Sequence, residues 1–354
     1  MVKNKKGGGV IMGKRGKFTF VFGFVLALIL PLWVQAQEFK PVVLKMVDFR
    51  PDIWPGNIWP RMFVEKVSKV SKGEIQIKFI GGPEAIPASD SAAAAQKGVV
   101  DIASTMGVYT PVKVAEVLGY CEYSSYELRQ RGMWKLFQDL YSKHGLYFLG
   151  ASTPSEPQVQ VTFFFGKGKC INTLADFKGK RIASVGGSMR AYIEALGSTC
   201  VPMQFTDYFT AMERKVVDGY LSGTPAIIDF GLTPVTECLL DEPVSSCGSF
   251  FVMNLDRWNS LPKRLQDMLI QAAIETEIDG AKAFTEVLEE VKKKISAEGV
   301  KIVKLPKEDS VKLYVTYREA MWREAYTKYP RELIDKIREI GTNPDFYRFK
   351  RFKK

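Results

Sequence analysis

A single histidine, His144, stands in 354 residues, and the five cysteines include no Cys-x-x-Cys pair. These shortages argue against mechanisms needing several imidazoles, against zinc sites and against thioredoxin-like exchange. No G-x-S-x-G elbow, H-E-x-x-H helix or G-x-x-x-x-G-K-[ST] phosphate loop occurs, so the common hydrolase, metalloprotease and nucleotide-binding signatures are missing. Beyond residue 36 there is no long apolar run. A net charge of one sign is missing too, once the ends are set aside. Of 50 Lys and Arg, six lie in residues 1–36 and five in the last seven, leaving 39 bases against 39 acids. A neutral body carries no electrostatic footprint for nucleic acid.

What remains is 46% apolar and 12% aromatic, the make-up of a folded globular chain of about two domains. Residues 1–36 read as a secretory signal. A basic stretch ends at Lys17, an uncharged run follows from Phe18 to Val34, and Val34-Gln35-Ala36 offers small residues for cleavage. Translation starting at Met1 and at Met12 both fit. Against an uncleaved anchor, seventeen residues sit at the short edge of a membrane span, and Pro31 breaks the helix. No Cys precedes Cys121, which rules out a lipidated N-terminal cysteine. The expectation is an exported, periplasmic protein cleaved after about Ala36. In that oxidising compartment an odd set of cysteines leaves at least one free. The nearness of Cys238 and Cys247 makes them one plausible bridge, against an equal alternative of five buried thiols.

Strand and helix alternate along the body. Val42–Met46 is a short apolar run, and Ile58–Val70 is helical with Pro60 in its first turn. Glu74–Phe79 alternates as a strand does. Ser89 and Asp90 precede an Ala-rich helix ending at Lys97, and Val99–Ala103 reads as a buried strand. The pattern recurs downstream: strand Lys180–Ser184, the Gly186-Gly187-Ser188 turn, a helix to Gly197, a helix from Thr206 to Lys215 and a strand Val216–Leu221. Lys97-Gly98-Val99-Val100-Asp101 is echoed by Arg214-Lys215-Val216-Val217-Asp218, which suggests two related lobes. Ser260-Leu261-Pro262 starts a helix that persists to Glu298, before Gly299. At roughly 50 Å it must kink at Gly280 or run along both lobes.

In open α/β lobes, ligands sit beyond the carboxyl ends of the strands. The segments there carry aromatic walls, hydroxyls and one guanidinium, a small-molecule pocket. The candidate binding residues are Trp54, Trp59, Tyr109, Phe205 and Tyr208 as walls, with Arg190, Thr224 and Glu84 as polar groups. Taken singly, each aromatic is as well explained by core packing. No catalytic residue, metal ligand or cofactor is expected.

The same residues resemble the periplasmic substrate-binding proteins of TRAP transporters, of the DctP type. The resemblance is carried by Asp176-Phe177-Lys178-Gly179-Lys180-Arg181-Ile182, Ala195-Leu196-Gly197, Val201-Pro202-Met203, Ala211 to Gly219, and Asn254 to Pro262. It implies a two-lobed α/β periplasmic-binding-protein-like fold with a long helix spanning both lobes. Lobe one would be 37–158 plus 249–260, lobe two 159–248, and 261–354 the long helix and C-terminal helices packed across both. It also implies delivery of a solute to membrane permease subunits driven by an ion gradient. The family grips a substrate carboxylate with an Arg two residues beyond the position of Arg181; here that residue is Ala183. Two ligand classes follow: an organic acid held by Arg190, which the family's habit favours, or, as the alternative, a neutral or aromatic solute held by Trp54, Trp59 and Tyr208. A ligand-sensing subunit of a signalling receptor and a secreted hydrolase are the alternatives. The C-terminal Arg348–Lys354 reads as a solvated tail or a contact for anionic lipid or an acidic patch on a permease.

Overall fold

The computed structural model describes residues 40–51, 58–152, 161–185, 189–245 and 249–343. The proposed signal, Trp54, the Gly186-Gly187-Ser188 turn, Cys247 and the basic C-terminal tail all lie outside the described residues. From the amino end the elements are β1 (Val42–Asp48), α1 (Ile58–Val70), β2 (Ile75–Gly81), α2 (Ser91–Gln96), β3 (Ile102–Thr105), α3 (Ser125–Gln130), α4 (Met133–Ser142) and β4 (Leu146–Ser152). A second set follows: β5 (Val161–Phe165), β6 (Arg181–Val185), α5 (Arg190–Ala195), β7 (Thr199–Met203), α6 (Tyr208–Glu213), β8 (Gly219–Gly223), α7 (Ala226–Asp229) and β9 (Cys238–Leu240). The chain then returns through β10 (Ser249–Asn254) and α8 (Leu255–Asn259) to α9 (Lys263–Ala297), β11 (Lys301–Val303), α10 (Lys307–Lys328) and α11 (Arg331–Gly341).

Two sheets result, in the orders β2-β1-β3-β10-β4 and β11-β9-β5-β8-β6-β7. In the first, β10 runs antiparallel between β3 and β4. In the second, β5 runs antiparallel between β8 and β9. Each lobe is thus a parallel α/β unit with one reversed strand, and the fold is the two-lobed one expected.

The echoed Val-Val-Asp segments are turns into strands rather than strands themselves. Val99 and Val216 are 58% and 49% exposed, while β3 and β8 begin only at Ile102 and Gly219. In both segments the residue before the first Val is left-handed, Gly98 at φ +72° and Lys215 at φ +56°, the conformation that closes a helix. Each Asp then ties its strand to the neighbour. Asp101 Oδ2 accepts the Lys45 N–H at 2.7 Å, and Asp218 Oδ2 accepts the Arg181 N–H at 2.9 Å. Burial pushes the Asp218 carboxyl up, but bonds from Arg181 and Lys169 outweigh it and hold the group well below the carboxylate range.

Helix α9 runs unbroken for 35 residues, about 50 Å, so of the two expectations it is the second that holds. Leu265, Leu269, Phe284 and Leu288 enter the core of the first lobe, and Val291 and Ile295 that of the second. Gly280 is no hinge. A Cβ there would lie 2.2 Å from the Trp59 ring, so the glycine lets α1 approach α9. Gly280→Ala is expected to lower unfolding free energy by about 1–3 kcal/mol through overpacking. Chemical denaturation checks this, and an unshifted midpoint would contradict the contact.

Next along the same helix, Glu277 is buried and pins α9 to the first sheet. Its carboxylate accepts Arg129 Nε and Nη2, each at 2.8 Å, and Trp134 Nε1 at 2.8 Å. Arg129 Nη2 also reaches the Leu149 carbonyl of β4 at 2.8 Å. Helix α10 touches both lobes. Its Tyr317 packs edge-on against Tyr120 at 6.3 Å and against Tyr192 of α5 at 5.2 Å, and donates its hydroxyl to the Gly119 carbonyl at 3.1 Å.

One cysteine expectation is corrected. Cys238 is bonded to Cys170, 68 residues away, and not to Cys247. The reason is topological: β9 pairs with β5 in the register Phe165↔Cys238, which brings the segment after β5 beside Cys238. Cys121 and Cys200 are free thiols, and burial pushes both above the ordinary thiol range.

Candidate functional site

The carboxyl ends of the parallel strands in both sheets open on the space between the lobes. The residues after β3, namely Met106, Gly107 and Val108, form one wall, completed by Tyr120 and by Phe250 at the start of β10. The ends of β6 and β8 form the other, with Ser184, Val185, Leu221 and Ser222. The hollow they line has a volume of about 100 Å³ and is partly open to solvent. A second hollow continues outward between Phe49, Pro51 and Tyr109 on one side and Gln204, Thr206 and Phe230 on the other. Phe205 lines both. It stacks on Phe230 at 4.9 Å and meets Tyr208 edge-on at 5.4 Å.

The expected binding residues divide accordingly. Tyr109 and Phe205 line the cleft. Tyr208 and Thr224 are buried; Tyr208 lies against Phe205 and Tyr220, and burial pushes its phenol well up. Trp59 packs between α1 and α9, its ring 6.2 Å from Phe284, and belongs to the core of the first lobe rather than to the cleft lining. Glu84 is exposed and turns back to accept the Gly82 N–H at 2.5 Å. Arg190 is exposed on α5 and pairs with Glu194 at 3.1 Å, outside both hollows. The pairing follows from i,i+4 spacing on a short helix. Ala183 is fully buried, sharing a cluster with Tyr208 and Tyr220. Arg181 faces outward to Asp218 and the Lys215 carbonyl.

Sequence reasoning missed Phe250, Tyr120 and Phe230. Phe250 sits on the inserted antiparallel strand, whose place between β3 and β4 no local pattern announces. Among the described residues no group of three or more His, Cys, Asp or Glu is placed to hold a metal ion. Likewise no helix among them is long and apolar enough to cross a membrane.

Asp229, at the end of α7, makes folding stability depend on pH. Its Oδ1 is buried with no hydrogen-bond partner among the described residues. Burial pushes its carboxyl from an ordinary 3.8 up to about 7, opposed by the charge of Arg50 from the first lobe. The folded protein therefore holds a proton that the unfolded chain has released between these values. Stability is expected to fall as pH rises from about 3.8 to about 7 and to level off above. Asp229→Asn should flatten that slope in urea midpoints taken across the range; parallel profiles would contradict it.

The DctP family, described as "Bacterial extracellular solute-binding protein, family 7", matches residues 59–328. The chain belongs to this family. Among curated relatives, an "Outer membrane transporter protein TsaT" of Comamonas testosteroni is 25% identical over 288 residues, 77% of this chain and 81% of the relative. Among solved structures, DctP7 of Bordetella pertussis, an extracytoplasmic solute receptor binding pyroglutamic acid, has a TM-score of 0.68 at 19% identity, covering 87% of this chain and all of that one. A TRAP periplasmic solute binding protein of Desulfovibrio salexigens with bound orotic acid has a TM-score of 0.71 at 18% identity, covering 84% and 98%. At these identities the solved structures establish the shared fold. As a DctP protein, the chain is a solute-binding receptor.

Proposed function

We propose that this DctP protein is exported, closes its cleft on a small organic solute, leaves it chemically unaltered and delivers it to the membrane subunits of a TRAP permease. The observation that carries the reading is the placement of the inner hollow at the strand carboxyl ends of both lobes, with Phe205 lining both it and the outer hollow. Contacts from two lobes are made together only when the lobes are shut, so a solute there favours the closed population. Helices α9 and α10, each packed on both lobes, would hold the halves together while they move. Cleavage of the signal after about Ala36 is part of the same proposal.

The expectation of an organic acid now rests on the relatives, among which pyroglutamic and orotic acids are bound. Arg190, the residue expected to hold it, lies outside the lining. Denaturing the mature protein and analysing what it releases by mass spectrometry tests the receptor reading. Recovery of one unaltered small molecule per protein is expected, and conversion of that molecule on incubation with fresh protein would contradict it.

A further inference from the structure

The lining of the cleft contains no Arg, Lys or His among the described residues. In sequence, residues 52–57, 153–160, 186–188 and 246–248 contain Asp52 and Glu156 but no base, whereas 1–39 and 344–354 carry six and five. The cations around the lining are committed. Arg50 binds Asp48 at 3.2 Å and Ser249 at 2.6 Å. Lys328 pairs with Glu324 at 2.7 Å and Glu116 at 3.5 Å. Lys113 is exposed and donates to the Val108 carbonyl at 3.3 Å. The one charged lining residue is an acid, Glu116, already served by Lys328 and by the Tyr329 hydroxyl at 2.8 Å. Against this, Ser222 presents a buried hydroxyl with no hydrogen-bond partner among the described residues, on a wall shared with Ser184, Val185 and Leu221.

Resting on the receptor reading above, we propose that the solute is uncharged: a compact molecule with an apolar or aromatic body and one hydroxyl or amide-type group that pairs with Ser222. A carboxylate shut into this cleft would lose its water without gaining an unpaired cation from the described lining, and Arg50 beside it is already bound to Asp48, so the loss is not recovered. An ammonium group would compete with Lys328 for Glu116. An amide or hydroxyl asks only for what Ser222 and the strand ends provide. The departure from a carboxylate grip is consistent with Ala183 standing where the resemblance places the family's Arg.

The test is calorimetric titration of the mature protein with triplets sharing one skeleton: benzamide, benzoate and benzylamine, then the carboxamide, carboxylate and aminomethyl forms of cyclohexane and 2-pyrrolidone. In any triplet that binds, the amide is expected to bind at least tenfold more tightly than either ion. Equal or tighter binding of the carboxylate or the ammonium overturns the inference, while closure measured by scattering would leave the receptor reading standing. Binding of any member without closure counts against the receptor reading instead. Ser222→Ala removes only an unpaired hydroxyl, so the protein should melt unchanged and bind the preferred amide about five- to tenfold more weakly. Unchanged affinity would remove Ser222 from the contact. The solute released on denaturation is expected to carry no ionisable group, and a carboxylic acid there overturns the inference.

Discussion

Glu277→Ala is expected to cost about 3–5 kcal/mol of unfolding free energy, because it leaves the Arg129 side chain, only 15% exposed, without its partner. The geometry gives the reason. Both Arg129 donors and the Trp134 indole end on the one carboxylate, and the guanidinium also holds the β4 carbonyl of Leu149. Burial pushes the Glu277 carboxyl up, opposed by Arg129, so the desolvation of each charge is offset only while its partner is present. Removing one member exposes the imbalance. The double change Arg129→Met with Glu277→Leu removes both charges together and should recover most of the loss. Equilibrium denaturation checks both variants. A loss below about 1 kcal/mol for the single change would mean that the pair is solvated in solution.

Phe205→Ala is expected to weaken solute binding by roughly tenfold to a hundredfold, the equivalent of about 1.5–3 kcal/mol for a large apolar side chain. Among the described residues Phe205 alone lines both the inner and the outer hollow, and its ring supports Phe230 at 4.9 Å. Since it is half-buried, folding stability should change far less than affinity. Calorimetry with the solute recovered from the native protein separates the two. Unchanged affinity would move the site away from this ring.

Much of this was legible beforehand, for identifiable reasons. Periodicity placed α1 at Ile58–Val70 and carried α9 to Gly299, because long amphipathic stripes are set by the same cores that fix the helices. Loop chemistry brought Tyr109 and Phe205 to the cleft, since strand ends in parallel sheets must point there. The failures share a different cause. Trp59, Arg190 and Glu84 each sat at an eligible strand end in the sequence, yet each is taken by a local or interhelical partner: Gly280 and Phe284, Glu194, and the Gly82 N–H. Residue type alone does not rank such partners. Cys170–Cys238 and Phe250 were invisible for another reason, because both depend on antiparallel pairings between strands far apart in the chain.

The central claim is a two-lobed cleft that shuts on its solute, and small-angle scattering tests it most directly. With the solute recovered from the native protein restored at saturation, the radius of gyration should fall and the profile should shift reproducibly from that of the emptied protein. Superimposable profiles at demonstrated saturation would contradict closure and with it the receptor mechanism.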